Sequence, residues 1–297
     1  MKILKRVFIA IASLAGVVVL AAVVMYFLTK SRMNSTYDVL PRSILIPTDS
    51  ATLSAGKHWV DVYCTQCHGE QLQGTRMFED PSIGYIDAPN LTRGKGGISA
   101  AYTDVDWIRS VKHGVRPSGK PLLVMPASDY HSLTDTDLGA ILAYVQSVPA
   151  VDHKTHGYDL SFFSHILAGL GAFGDFLPVE NIDHAAPPVE ATPGVTPAYG
   201  AYLVSTGGCR TCHGKELAGG QDPNPNAPPS PNLTPGGPLQ TWSPDDFLTT
   251  MRTGFTPDRR PIQAAFMPWP NFARFSDNEL RALFAYLHSL PALPTAD

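Results

Sequence analysis

The four cysteines of this chain fall as two close pairs, each followed at once by histidine and glycine. The two runs are Cys64-Thr-Gln-Cys67-His68-Gly69 and Cys209-Arg-Thr-Cys212-His213-Gly214. Two thiols three residues apart share one helical turn, where each can form a thioether to a vinyl group of the same porphyrin. The next residue then points its imidazole at the metal. This is the pattern of c-type haem attachment. A Cys-x-x-Cys pair alone also serves redox dithiols and zinc sites. A dithiol site needs no histidine after the second cysteine in both copies, and a zinc ribbon gathers its pairs within tens of residues rather than across 145. Two covalently bound haem c groups are therefore expected, on Cys64, Cys67 and His68 and on Cys209, Cys212 and His213.

The sixth iron ligand separates a carrier from a reactive haem. A methionine thioether raises the reduction potential and closes the iron to other molecules. The candidates are Met77, Met125, His58, His113 and His131 in the first half, and Met251, Met267 and His288 in the second. Internal repetition discriminates among them. Pro89-Asn90-Leu91-Thr92 recurs as Pro231-Asn232-Leu233-Thr234, and Trp107, Gly114 and Pro121 recur as Phe247, Gly254 and Pro261. Met125-Pro126 recurs as Met267-Pro268, and the Tyr144 to Ala150 segment recurs as Tyr286 to Ala292. Only Met125 and Met267 match in position, so they are the expected distal ligands. The plainer alternative for either is a core methionine filling a gap.

Each repeat must position these groups with helices. A short helix, Gly56–Tyr63 in one copy and Gly200–Thr206 in the other, leads into the cysteines. A second starts near Thr103, or at Ser243-Pro244, and stops at Gly114 or Gly254. A third follows Thr134-x-x-Asp137 or the capping box Ser276-x-x-Glu279. Leu138, Ile141, Leu142 and Val145, like Leu280, Leu283, Phe284 and Leu287, carry its apolar face at i, i+3, i+4, i+7. No strand is expected. The fold class is all-α, with two tandem domains, 47–150 and 197–297, joined by a connector, 151–196. Within the connector, Ala185 to Pro197 should be extended. Phe162 to Leu177 is apolar but too short to span a bilayer; it is either a helix packed between the domains or a surface on the membrane or a partner.

Residues 1–46 read as an anchor and stalk, with a transmembrane helix at about 7–28. Val7 to Leu28 is uncharged over 22 residues, enough for roughly 33 Å of helix. The rival, a cleaved signal peptide, has a shorter apolar region and a small-residue cleavage site. Lys2, Lys5 and Arg6 before the segment favour a cytoplasmic N-terminus only weakly, since Lys30 and Arg32 follow it. Haem attachment outside the cytoplasm fixes the orientation independently: a single-pass inner-membrane protein with its haem domains in the periplasm. The net charge of −4, without a basic stripe, argues against nucleic acid as a partner.

The series Cys-x-x-Cys-His-Gly, Pro-Asn-Leu-Thr, a helix ending in glycine, Met-Pro and a final helix carrying tyrosine resembles class I cytochrome c. It is similar to the membrane-anchored mono- and dihaem cytochrome c subunits beside periplasmic dehydrogenases and respiratory oxidases. The resemblance covers roughly 50–150 and 195–293. It implies that the first and third helices cross at Gly56 with Tyr144 and at Gly200 with Tyr286. Leu91 and Leu233 would lie against the porphyrin, and Trp107 and Phe247 would be haem-wall or core residues. Two extra residues between Pro261 and Met267, relative to Pro121 and Met125, give the second distal loop a different shape. The implied activity is electron transfer without an open iron site. The donor would be a periplasmic dehydrogenase or quinol-oxidising complex, and the acceptor a terminal oxidase or soluble cytochrome. A haem peroxidase or a gas sensor would need one methionine off the iron.

Overall fold

Helix α1 runs from Lys2 to Met33 and carries almost no buried side chain before its last turn. An apolar helix with no protein around it is stable only in a lipid-like environment. This is the one helix among the described residues, 1–221 and 227–296 of the computed structural model, that is long and apolar enough to cross a membrane. Residues 34–49 do not hang free: Ile44 and Ile46 pack on the core, and Arg109 Nε donates to the Val39 carbonyl at 2.9 Å.

The fold is all-α, with one small sheet added. Helices α2 (Ser50–Tyr63), α3 (Thr65–His68), α4 (Asp104–His113), α5 (Ala127–Tyr130) and α6 (Asp135–Ser147) make the first set. After α7 (Phe162–Gly169), α8 (Pro197–Thr206), α9 (Cys209–His213), α10 (Pro244–Thr253), α11 (Trp269–Phe272) and α12 (Asp277–Ser289) repeat it. The starts are dictated locally. Thr103, Ser243 and Ser276 each form a reciprocal capping box with the residue three positions on, and Gly114 and Gly254 end α4 and α10 in the left-handed conformation. Thr134 caps α6 through the Asp137 amide, but the Asp137 carboxylate does not return the bond. It accepts instead from Trp59 Nε1 at 2.9 Å and from the Tyr202 hydroxyl.

Helix α2 crosses α6, and α8 crosses α12, at the paired glycines and tyrosines. A Cβ on Gly56 would overlap the Ala140 carbonyl and crowd Tyr144, and one on Gly200 would overlap the Ala282 carbonyl and crowd Tyr286. One apolar cluster runs through both sets, with Tyr63 packing edge-on against Phe275 across the junction.

Contacts between the sets are reciprocal. His58 on α2 donates to the Glu279 carboxylate at the cap of α12. Tyr202, its counterpart on α8, donates to Asp137 at the cap of α6. Likewise α5 packs on α8 and α11 packs on α2. Two similar units have met through the same face, the self-complementary arrangement of an isologous dimer held within one chain.

One expectation fails here, and one of the two readings of the connector's apolar run is excluded. The first set carries a three-stranded antiparallel sheet, β1 (Thr75–Asp80), β2 (Gly84–Ala88) and β3 (Tyr158–Leu160), where no strand was expected. Its third strand comes from the connector, so local pattern in 75–88 could not announce it. The connector helix α7 is present, but it packs on α1 rather than between the two sets. Residues 185–196 form no regular element.

Replacing Gly56 by alanine should destabilise the protein by about 1–3 kcal/mol, the usual cost of overpacking a closed contact. Denaturant unfolding of the haem-loaded protein measures it, and Gly16→Ala, in open space, should cost nothing comparable.

Candidate haem sites

The Cys-x-x-Cys-His run folds as the short helix α3 in the first set and α9 in the second, each closed by glycine at φ +81° and +79° (Gly69, Gly214). A glycine in that conformation turns the chain sharply after the histidine. His68 Nδ1–H then donates to the Pro89 carbonyl at 2.9 Å, and His213 Nδ1–H to the Pro231 carbonyl at 2.8 Å. The bond fixes the tautomer and leaves Nε2 with its lone pair for a metal. Burial also pulls His68 below the usual imidazole range, against the opposing pull of the Pro89 bond, so the ring is held neutral.

The Pro-Asn-Leu-Thr loop exists to present that carbonyl. Asn90 Nδ2 donates to the Val151 carbonyl at 2.8 Å, just beyond α6, and Asn232 Nδ2 donates to the Leu293 carbonyl at 2.8 Å, just beyond α12. The side-chain oxygens accept from the Thr92 and Thr234 amides. Leu91 N donates to the Leu72 carbonyl, and Leu233 N to that of Leu217, each at 2.8 Å. All four buried polar residues of the two loops are thereby satisfied.

In the first set, Cys64, Cys67, His68, Met125, Leu91 and Trp107 line one cavity, of which about 210 Å³ is open to the centre of a water molecule. Its lining is largely apolar, as a porphyrin requires. Two of its polar atoms are buried without a partner, Trp107 Nε1 and Arg116 Nε. An indole N–H and a guanidinium Nε without hydrogen-bond partners on an apolar cavity suit the carboxylates of a haem, and the same guanidinium lies 5.9 Å from the centre of the Tyr158 ring. The donor set fits that group: two thiols, a neutral imidazole with a held tautomer, and a thioether. Burial pushes the Cys64 and Cys209 thiols up to about 12, the opposite of what a redox dithiol or a zinc thiolate needs.

In the second set, Cys209, Leu233 and Met267 pack against the shared core, Phe247 lies within it, and His213 is buried. The distal loops differ as the two extra residues require. Val124, at φ +66°, precedes Met125, whereas the Met267 amide donates to the Gln263 carbonyl. Pro126 and Pro268 both start the next short helix.

The other candidate ligands are engaged elsewhere. His58 pairs with Glu279, His113 shares a 2.9 Å hydrogen bond with His184 Nδ1, and His131 Nδ1 donates to the Lys112 carbonyl. Met251 is in the core and the His288 ring lies tilted against that of Phe284 at 5.1 Å. Met77, on β1, does line the first cavity. Sequence reasoning did not find Arg116, nor the donor role of Trp107.

Asp129, half-buried on α5, sits beneath Gly208, at the start of the second Cys-x-x-Cys-His run. Burial, then the neighbouring Asp175 charge, raises its carboxyl to about 7.

A family model described as "Cytochrome C oxidase, cbb3-type, subunit III" matches the chain twice, over residues 51–145 and 196–287. The chain is 28% identical over 305 aligned positions to "Alcohol dehydrogenase (quinone), cytochrome c subunit" of Gluconacetobacter polyoxogenes, covering 89% of this chain and 63% of the relative. It is 28% identical over 251 positions to "Fructose dehydrogenase cytochrome subunit" of Gluconobacter japonicus, covering 77% and 50%. To "Gluconate 2-dehydrogenase cytochrome c subunit" of Pantoea cypripedii it is 34% identical over 110 positions, covering 33% and 24%. The chain thus spans less than two thirds of the length of these relatives.

Met125→Ala should abolish the sulfur-to-iron charge-transfer band of the first haem, while Met77→Ala should leave it; absorption spectra of the oxidised variants decide. Asp129→Asn should alter the pH profile of stability. A carboxyl raised on folding favours the native state below the ordinary carboxylate range, and that advantage is lost as pH rises through about 7. The variant should therefore gain roughly 1–3 kcal/mol over the parent at pH 8 and nothing at pH 4, read from denaturation midpoints.

Proposed function

Because the chain belongs to the cytochrome c family whose model it matches twice, we propose that it is a membrane-anchored dihaem electron carrier, taking electrons from a dehydrogenase on the periplasmic side. Bound covalently, each haem supplies a one-electron ferrous/ferric couple. The observation that carries the reading is the pair of Cys-x-x-Cys-His helices whose histidines are each held by a proline carbonyl, one of them sharing a cavity with Met125.

The residues divide the work. Cys64 and Cys67, and Cys209 and Cys212, hold the two haems. His68 and His213 would offer Nε2, and Met125 and Met267 their sulfur, to a haem iron, a donor set that suits electron transfer rather than substrate chemistry. Trp107 Nε1 and Arg116 would be available to the carboxylates of the first haem. The chain divides into an anchor and stalk (1–46), two haem domains (47–150 and 197–297) and a connector (151–196). The reciprocal packing supports a relay, because it sets the attachment helix of each domain beside the other's post-methionine helix. Asn271 Nδ2 donates to Gln66 Oε1 at 2.5 Å, between the two cysteines of the first pair, and Asp129 touches the second run.

A dehydrogenase as donor is supported by the printed names of the relatives, all cytochrome subunits of dehydrogenases. The acceptor is a terminal oxidase or a soluble cytochrome. The periplasmic placement follows from where haem is attached.

Expressed with an export-competent cytochrome maturation system, the chain should carry two haems by intact mass and pyridine haemochrome assay, and the reduced protein should not take up carbon monoxide. One haem per chain, or carbon monoxide binding at native pH, defeats the reading. Met267→Ala should lower the second haem's potential in a redox titration and open it to exogenous ligands. An unchanged potential removes Met267 from the iron.

A further inference from the structure

Helix α7 contains no charged residue: its sequence is Phe-Phe-Ser-His-Ile-Leu-Ala-Gly. It is held against the end of α1. The Phe162 ring lies 4.8 Å from that of Tyr26 and the His165 ring 5.0 Å from it. Gly169 sits on Met25 and Thr29, closely enough that a Cβ would collide with both. Met25 and Tyr26 lie in the last turn of the uncharged Val7–Leu28 stretch, and Thr29 directly follows it. Tyr26 is two residues before its end, about 3 Å inside the boundary at 1.5 Å per residue. Phe162 is therefore level with the rim of the apolar belt.

Phe162, Phe163 and Leu170 are nonetheless 49, 52 and 67% exposed, beside an α1 surface whose Val24 and Phe27 are 48 and 62% exposed. The two surfaces form one apolar and aromatic area, with the Lys30 ammonium beside Tyr26 at its edge. A cluster of this kind on a water-soluble face is uncommon, and aromatic rings are favoured where acyl chains meet headgroups. Eight residues, roughly 12 Å of helix, cannot cross a bilayer but can lie in its surface.

We propose that α7 is embedded in the periplasmic leaflet of the membrane that α1 crosses, with Phe162, Phe163 and Leu170 facing lipid. This rests on reading α1 as membrane-spanning. The consequence is positional. Ser161 caps α7 through the Ser164 amide, and its own amide donates to the Ile83 carbonyl at 3.0 Å. Its hydroxyl donates to the Ser82 carbonyl at 2.5 Å, and the Ser164 hydroxyl to that of Ile83. Those bonds fasten α7 to the β1–β2 turn, and Ile86 on β2 and Tyr158 on β3 line the first haem cavity. The sheet is thus a bracket that holds the first cavity next to the bilayer surface.

The test uses the full haem-loaded chain in phospholipid nanodiscs, kept reduced, with a nitroxide on a single introduced cysteine. Sites are Phe163→Cys and Leu170→Cys on the connector, Leu14→Cys on α1, and Lys95→Cys on an exposed loop. Power saturation compares collision with oxygen, which concentrates in lipid, and with a water-soluble nickel chelate. Sites 163 and 170 should behave as site 14 does, with oxygen collision several-fold favoured, and opposite to site 95. If 163 and 170 follow site 95 while site 14 remains lipid-like, the proposal is overturned and the spanning reading of α1 stands. If site 14 also follows site 95, that reading itself has failed. Shielding of 163 and 170 from both reagents would place protein over this face and overturn the proposal as well.

Discussion

A hydrogen bond from imidazole Nδ1 to a proline carbonyl, made once in each half of the molecule, organises nearly everything around it. A histidine that follows two cysteines on a single helical turn has its position set by the backbone, but not its tautomer or its ring angle. A carbonyl can accept only from an N–H, so the bond selects the tautomer and leaves Nε2 unprotonated. For the carbonyl to be in place, the Pro-Asn-Leu-Thr loop must be rigid. Its rigidity comes from an asparagine that reaches past the third helix of each set. That helix in turn is fixed by its crossing over the first, at a glycine no other residue can replace without displacing backbone.

The reciprocal contact between the halves follows from the same repetition. Two copies of one unit carry the same surface, and the least costly way to bury it is against itself. Once the copies have diverged, the contacts need not be chemically equal. His58 meets Glu279 through an imidazole N–H, whereas Tyr202 meets Asp137 through a phenol O–H. Asp129 has Asn271 as its counterpart, and only the former charges. Like positions with unlike chemistry let the two halves be tuned separately without moving either.

Helices and pairings were legible in the amino-acid sequence because their causes are local. Ser276 and Glu279, or Gly114, declare a helix end within four residues, and the repeat supplied the register that selected Met125 over His113 or His131. What escaped depended on distance along the chain. The sheet needs Tyr158–Leu160 to return some 70 residues later and complete 75–88. The neighbour of α7 is a helix more than 130 residues upstream, and an apolar run with three glycines carries no address. Thr134-x-x-Asp137 makes only half of a capping box, because the Asp137 carboxylate is claimed by Trp59 from its own half and Tyr202 from the other. Arg116 was passed over because a single arginine in a loop has no periodic partner. Only its buried, unpartnered Nε marks it.

Beyond the sheet and the distal loops, the two halves also differ beside the candidate haem sites. Trp107 becomes Phe247, a smaller aromatic ring without the N–H. Arg116 becomes Thr256, in a loop otherwise closed alike: Val115 bridges Pro121 and Phe255 bridges Pro261, and Arg116 N donates to the Lys120 carbonyl as Thr256 N does to that of Arg260. A backbone kept this closely constrains where the side chain begins but not what it carries. The first cavity therefore has an indole N–H and a guanidinium where the matching positions of the second set carry a phenyl ring and a hydroxyl already bonded to Asp258, and a cation near a redox centre favours its more reduced, less positive state. Substitution at these two positions changes local charge and hydrogen bonding while the backbone that carries them is kept, so two candidate sites built on one frame can differ electrostatically.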